Sequence, residues 1–115
     1  MEKFVQRSYL FDFYGELLTE HQRRIYSAVV FDDYSLSEIA REEGVSRQGI
    51  HDLMRRCDKT LEDYENRLGL VARFLKIRDQ VRKIQDLTAQ AASAGEADGT
   101  RSRIHRIADG ILEEL

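Results

Sequence analysis

The stretch from Leu36 to Arg56, LSEIAREEGVSRQGIHDLMRR, limits what this chain can fold into more than any other part of it. It reads as two short helices joined by a tight turn. Ser35 or Ser37 can cap the first helix, and Leu36, Ile39 and Ala40 form its apolar face. Gly44 ends it, because glycine alone takes a left-handed backbone without steric cost. Val45 is expected to plug the turn. Ser46 caps a second helix whose apolar face is Ile50, Leu53 and Met54. Ala40 must be small if that helix crosses closely, and Val45, Ile50 and Leu53 are expected to pin the two helices together. These are the residue types a helix-turn-helix needs, at the spacing it needs them.

The rest of the chain reads as helix as well. There is no proline to break a run, and no alternating apolar pattern of useful length suggests a strand, so the fold class is all-α. Residues 2–17 read as a first helix, apolar nearly all round (Phe4, Val5, Tyr9, Leu10, Phe11, Phe13, Tyr14 and Leu17). Such a helix is expected to be buried on several sides, in part by a partner. Thr19 with Gln22 reads as a capping box. It opens a helix running to Phe31 with Ile25, Tyr26, Val29 and Val30 inward, and Asp32-Asp33-Tyr34-Ser35 breaks it.

The second helix of the motif is expected to run from Arg47 to Leu68, about 33 Å at 1.5 Å per residue, with Leu61 and Tyr64 extending its apolar spacing and Gly69 ending it. Leu70, Phe74, Ile77, Val81, Ile84, Leu87 and Ala91 then form nearly a heptad seam along a helix over 70–94. Residues 93–99 read as a mobile linker. Ile104, Ile107, Ala108, Ile111, Leu112 and Leu115 form a stripe on a last helix, expected to return antiparallel onto the preceding one. The organisation expected is therefore a helix-turn-helix domain over 1–68 and a helical extension over 69–115, the latter a dimerisation element.

Charge bears on function. The chain carries 18 basic and 21 acidic residues, a net charge of −3, whereas nucleic-acid binders usually carry a basic excess. The acidity concentrates where a DNA contact would lie, since residues 19–68 hold 8 basic and 11 acidic side chains. Locally the balance reverses: Ser46 to Lys59 holds Arg47, Arg55, Arg56 and Lys59 against Asp52 and Asp58. In a helix-turn-helix the start of the second helix meets base edges in the major groove. The candidate contacts are Ser46, Arg47, Gln48, His51, Arg55 and Arg56, with Asp52 on the same face. Arg suits guanine, Gln suits adenine, and Ser46 with the helix N-terminus suits a phosphate. The same positions on an ordinary bundle helix would be a solvated face, and Asp52, Glu38, Glu42 and Glu43 would lower affinity for DNA.

Catalytic chemistry is not legible. His21, His51 and His105 fall on separate helices without a metal-ligand spacing, so neither cofactor nor metal is expected, nor enzyme activity. The single cysteine, Cys57, cannot form an internal disulfide, which fits a reducing compartment. Its basic neighbours could lower its pKa, but a partly buried helix residue is the simpler reading. The amino end has no secretory apolar core and no run reaches membrane-spanning length.

The run SLSEIAREEGVSRQGIHDLMRR, preceded by Leu18-Thr19 and Gln22, resembles region 4 of bacterial sigma factors. With YLFDFYGELLTEHQ, DDYSLSEIA and LEDYENRLGL, residues 4–90 resemble the YlxM family of small bacterial helix-turn-helix proteins. That resemblance implies a cytoplasmic protein whose genes neighbour those of the signal recognition particle GTPases, with a regulatory or accessory role in that pathway. It implies DNA contact through Arg47, Gln48, His51 and Arg55. Two functions stay open: a dimeric DNA-binding regulator, or a module binding a signal recognition particle protein or RNA with the helix-turn-helix as scaffold.

Overall fold

With no proline to interrupt the amide ladder, the chain builds helix after helix. The computed structural model describes residues 1–93 and 99–115. Its elements are α1 (Lys3–Tyr14), a 3₁₀ turn (Gly15–Leu17), α2 (Glu20–Val30), α3 (Leu36–Glu43), α4 (Arg47–Leu68), α5 (Leu70–Ser93) and α6 (Thr100–Glu114). No strand occurs among the described residues, and the all-α reading stands. The linker expected over 93–99 falls chiefly on residues 94–98, which lie outside the described part. The chain forms two compact units, Met1–Val71 and Ala72–Leu115.

The helix limits follow local chemistry. Thr19 and Gln22 form the capping box, each side chain accepting from the other's backbone amide. Ser35 and Ser46 cap α3 and α4 through hydrogen bonds from Glu38 and Gly49 N–H. Gly44 and Gly69 end those helices at φ 69° and 63°, in the left-handed region where a side chain would be strained. The first helix stops sooner than its composition suggests, at Tyr14. Gly15 follows it, buried so closely that a Cβ there would meet the Phe11 ring at 3.0 Å.

In the first unit α4 is the axis on which α1, α2 and α3 pack. Ile50, Met54, Cys57 and Leu61 form its buried seam, each 3% exposed or less. The seam differs from the expected one: Cys57 occupies it, while Leu53 and Tyr64 are only half-buried. Around it lie Leu10 and Tyr14 of α1, Ile25, Tyr26 and Val30 of α2, and Ile39 and Ala40 of α3. Phe4, Phe13 and Leu17 stay exposed in the single chain. Val45 departs most from expectation. It is 48% exposed and plugs nothing. The turn is closed by backbone instead: the amides of Gly44 and Val45 both donate to the Ala40 carbonyl, and this geometry points the Val45 side chain outward.

Polar groups tie the same helices together. The Arg7 guanidinium donates twice to the Asp58 carboxylate, at 3.0 and 2.6 Å, and the Tyr26 hydroxyl donates to it at 2.7 Å. Burial and the Asp58 carboxylate push the Tyr26 phenol well above its ordinary pKa, so it remains a donor throughout the neutral range. The Tyr14 hydroxyl donates to Glu65 at 2.5 Å. These two side chains also accept the first amides of α5, Leu70 N–H on the Tyr14 oxygen and Val71 N–H on Glu65, so residues of α1 and α4 cap the start of α5.

The second unit is an antiparallel helical hairpin. Thr88 Oγ1 lies 3.1 Å from His105 Nδ1, and the Gln85 amide donates to Asp109, so residue numbers rise on one helix as they fall on the other. His105 is half-buried at this contact. Val81, Thr88 and Ala108 are buried. The remaining apolar stripe is not covered: Leu87 is 65% exposed and Ile107 64%, with Ile84, Ile104, Ile111 and Leu115 also exposed.

Replacing Asp58 by Ala is expected to destabilise the protein by about 3 kcal/mol, because it strands a half-buried guanidinium and a buried phenol at once. Tyr26→Phe, which removes one donor, should cost about 1 kcal/mol. Urea denaturation measures both, and an Asp58→Ala loss no larger than that of Tyr26→Phe would contradict this account.

Candidate nucleic-acid interface

The candidate face is built by the turn and by the phase of α4. Gly44 reverses the chain, Ser46 caps the new helix, and the seam of Ile50, Met54, Cys57 and Leu61 fixes which side of α4 faces inward. With 3.6 residues per turn, the opposite side carries Gln48, His51, Asp52 and Arg55, while Arg47 and Arg56 lie on its two flanks. Ser46, Arg47, Gln48, His51, Arg55 and Arg56 are all exposed, and Asp52 is half-exposed. The six residues singled out by sequence thus lie at the start and along the outward half of one helix.

Ser46 Oγ accepts the Gly49 amide at 2.9 Å, so its lone pair serves the helix itself. The capping leaves the first-turn amides of Arg47 and Gln48 facing outward at the positive end of the helix dipole. The Gln48 amide nitrogen donates to Asp52 Oδ1 at 3.0 Å across one turn. No salt bridge or hydrogen bond to Arg47, Arg55 or Arg56 is found among the described residues.

Sequence reasoning left Lys59 out of the site. Asp52, Arg55, Arg56, Lys59 and Glu62 line a shallow hollow of about 720 Å³ beside α4, so the basic strip continues a turn beyond Arg55. Its spacing, three residues from Arg56 and four from Arg55, was the available signal.

The acids of α3 divide. Glu38 and Glu42 are exposed, whereas Glu43 takes a forked contact from Arg24 of α2, with Nη2 at 2.9 and 3.1 Å from its two oxygens. His21 Nδ1 lies 3.2 Å from the same Arg24 Nη2. The Arg24 hydrogen bonds hold the Glu43 carboxyl below the usual carboxylate range. Glu43 is therefore compensated within the fold and adds less repulsion to this face than its position in sequence suggests.

Cys57 is completely buried. Burial, and secondarily the Asp58 carboxylate, push its thiol up to about 11. The lowered pKa that its basic neighbours could have given it is not realised, because Arg55, Arg56 and Lys59 point to solvent while Cys57 points inward. Among the described residues no cluster of His, Cys, Asp and Glu could hold a metal ion, and no helix is long and apolar enough to cross a membrane.

Two outcomes follow from this geometry. Cys57 should resist a thiol reagent at neutral pH in the native protein and react at an ordinary rate in urea, followed by absorbance; equal rates would contradict its burial. A carboxyl whose pKa is depressed on folding stabilises the fold above its unfolded value, and that stabilisation is lost as pH falls through the folded one. The Arg24–Glu43 tie should thus be intact at neutral pH and vanish on acidification below the ordinary carboxylate range. Glu43→Gln should flatten the acid limb of a stability-versus-pH curve; an unchanged limb would contradict it.

A family model described as "Putative helix-turn-helix protein, YlxM / p13 like" (UPF0122) matches residues 1–98. The UPF0122 protein of Symbiobacterium thermophilum is 49% identical over 88 residues, 73% of this chain and 82% of that one. The UPF0122 protein of Halalkalibacterium halodurans is 41% identical over 96 residues, 84% of this chain and 88% of its own. That of Bacillus pumilus is 37% identical over 107 residues, covering 93% and 97%. The family description is of a helix-turn-helix protein and names no enzyme class. An all-α chain with a capped, glycine-turned helix pair, matched over most of its length by this family, belongs to the UPF0122 (YlxM / p13-like) helix-turn-helix family.

Proposed function

We propose that the protein is a DNA-binding regulator that reads the major groove with the first three turns of α4. The observation that carries this reading is the outward face holding Gln48, His51 and Arg55 with Arg47 on its flank, all four exposed and three of them able to pair with base edges. Arg56 and Lys59 supply phosphate contacts further along the same helix. The pairing of Glu43 with Arg24 and of Asp58 with Arg7 removes two acids from the local repulsion that net charge alone predicts.

Two copies would give the protein two such helices for half-sites one DNA turn apart. The uncovered stripe of Ile84, Leu87, Ile104, Ile107 and Ile111 supports that assembly, since so much apolar surface on a small helical unit favours self-association. A regulatory role in the signal recognition particle pathway is the context the family resemblance suggests. A second reading is that a protein or RNA component of that particle docks here; the acidic edge at Glu38 and Glu42 favours the protein component, since the same acids repel RNA phosphate, and a pull-down with the purified components tests it.

Arg55→Ala, at a base-reading position, should lower affinity by about 1–3 kcal/mol at a preferred site, and Lys59→Ala should lower the salt slope by about one unit on every duplex. A salt titration of binding measures both, and unchanged affinity in Arg47→Ala and Arg55→Ala would reject the DNA reading. Light scattering should find a dimer for the native chain and a monomer for the Leu87→Glu, Ile107→Glu double variant. A monomeric native protein at micromolar concentration would reject the assembly.

A further inference from the structure

Asp52 is the residue that fits least well with a DNA-reading helix. An acid on that face repels phosphate, and the simplest structural account would be a salt bridge within the helix. Arg55 and Arg56 stand three and four residues further on, at the spacings where such pairs form. Neither pair is found: among the described residues Asp52 makes no ion pair, although Asp58 is matched with Arg7 and Glu43 with Arg24. Its contact is instead with a neutral group, the Gln48 amide at 3.0 Å on Oδ1. This hydrogen bond fixes the carboxylate in place and does not cancel its charge. It also leaves Oδ2 as a directed acceptor on a half-exposed side chain.

The geometry points to Asp52 as a specificity-determining residue that accepts a hydrogen bond from the exocyclic amine of cytosine in the major groove, with Gln48 as the residue that positions it. The proposal rests on the DNA reading of α4. Of the four bases, cytosine offers the major groove a donor with no acceptor beside it, and a carboxylate is the matching partner. Arg55, one turn on and uncommitted, suits a guanine on the same strip. The pair therefore favours a G·C-containing step. It also explains why an acid can persist on this surface: Asp52 lowers affinity for every duplex, and lowers it less where a cytosine amine meets it. An acid used in this way trades non-specific binding for discrimination.

The test is selection from a randomised duplex library at low salt, with the full-length protein, Asp52→Asn and Gln48→Ala, followed by titration of the enriched duplexes. The native protein should enrich cytosine at one step over the other bases by roughly tenfold. Asp52→Asn should lose that preference and gain one for adenine at the same step, because asparagine presents the donor and acceptor that adenine matches. Gln48→Ala should keep cytosine but with a preference weakened several-fold, since the carboxylate loses its tether. If Asp52→Asn binds all duplexes more tightly with the base preference unchanged, Asp52 is only a repelling charge and the proposal is overturned. If neither the native protein nor Asp52→Asn retains any duplex, the DNA reading fails and the base-reading role fails with it. Absence of binding and binding with unaltered preference are separate results in the same experiment.

Discussion

Asp58 is one carboxylate near the middle of α4 on which a guanidinium from α1 and a phenol from α2 converge. The rest of the first unit depends on that junction. A single helix surrounded by three others can pack its apolar seam in slightly rotated ways at small energetic difference, because the hydrophobic effect has no direction. Two hydrogen bonds from a forked donor and one from a phenol do have direction. They hold α4 in one rotation about its own axis. The apolar seam of Ile50, Met54, Cys57 and Leu61 sets the inward side of the helix, and the ties of Asp58 to Arg7 and Tyr26 fix its register. Gln48, His51, Asp52 and Arg55 are left facing outward.

The turn before α4 shows backbone geometry taking over a task that sequence pattern assigns to a side chain. An apolar residue after the turn glycine is easily read as a plug. The amides of Gly44 and Val45 close the turn on the Ala40 carbonyl, and the left-handed glycine sets the exit direction. What remains for Val45 is a half-exposed surface position. Ala40 keeps the role its size suggests, a buried residue at the close approach of α3 and α4.

Charge behaves similarly. Formal counting makes the helix-turn-helix segment the most acidic part of the chain. Counting cannot see that Glu43 and Asp58 are held by Arg24 and Arg7, residues 19 and 51 positions away. Their pairing is long-range and leaves no periodic trace in sequence. Nor can counting separate Cys57 from the basic residues flanking it, since adjacent residues on a helix point about 100° apart. The Gln48–Asp52 contact, by contrast, is a spacing of four on one helix, and such a pair can be anticipated from the letters alone.

Sequence by itself determined the class of fold, the limits of most helices and the identity of the candidate face. Each of these depends on local chemistry: hydroxyl caps at Thr19, Ser35 and Ser46, left-handed glycines at 44 and 69, and apolar spacing of three and four. The family resemblance rests on the same run of residues. Tertiary structure decided where burial departs from the apolar spacing. It placed Cys57 in the seam and Val45 outside it, and it left the α5–α6 stripe uncovered. It also decided which acids are neutralised and that Asp52 is not among those matched by a cation. The reason is one of range: capping and periodicity act within a turn or two of helix, whereas burial and ion pairing are set by whatever distant segment packs alongside.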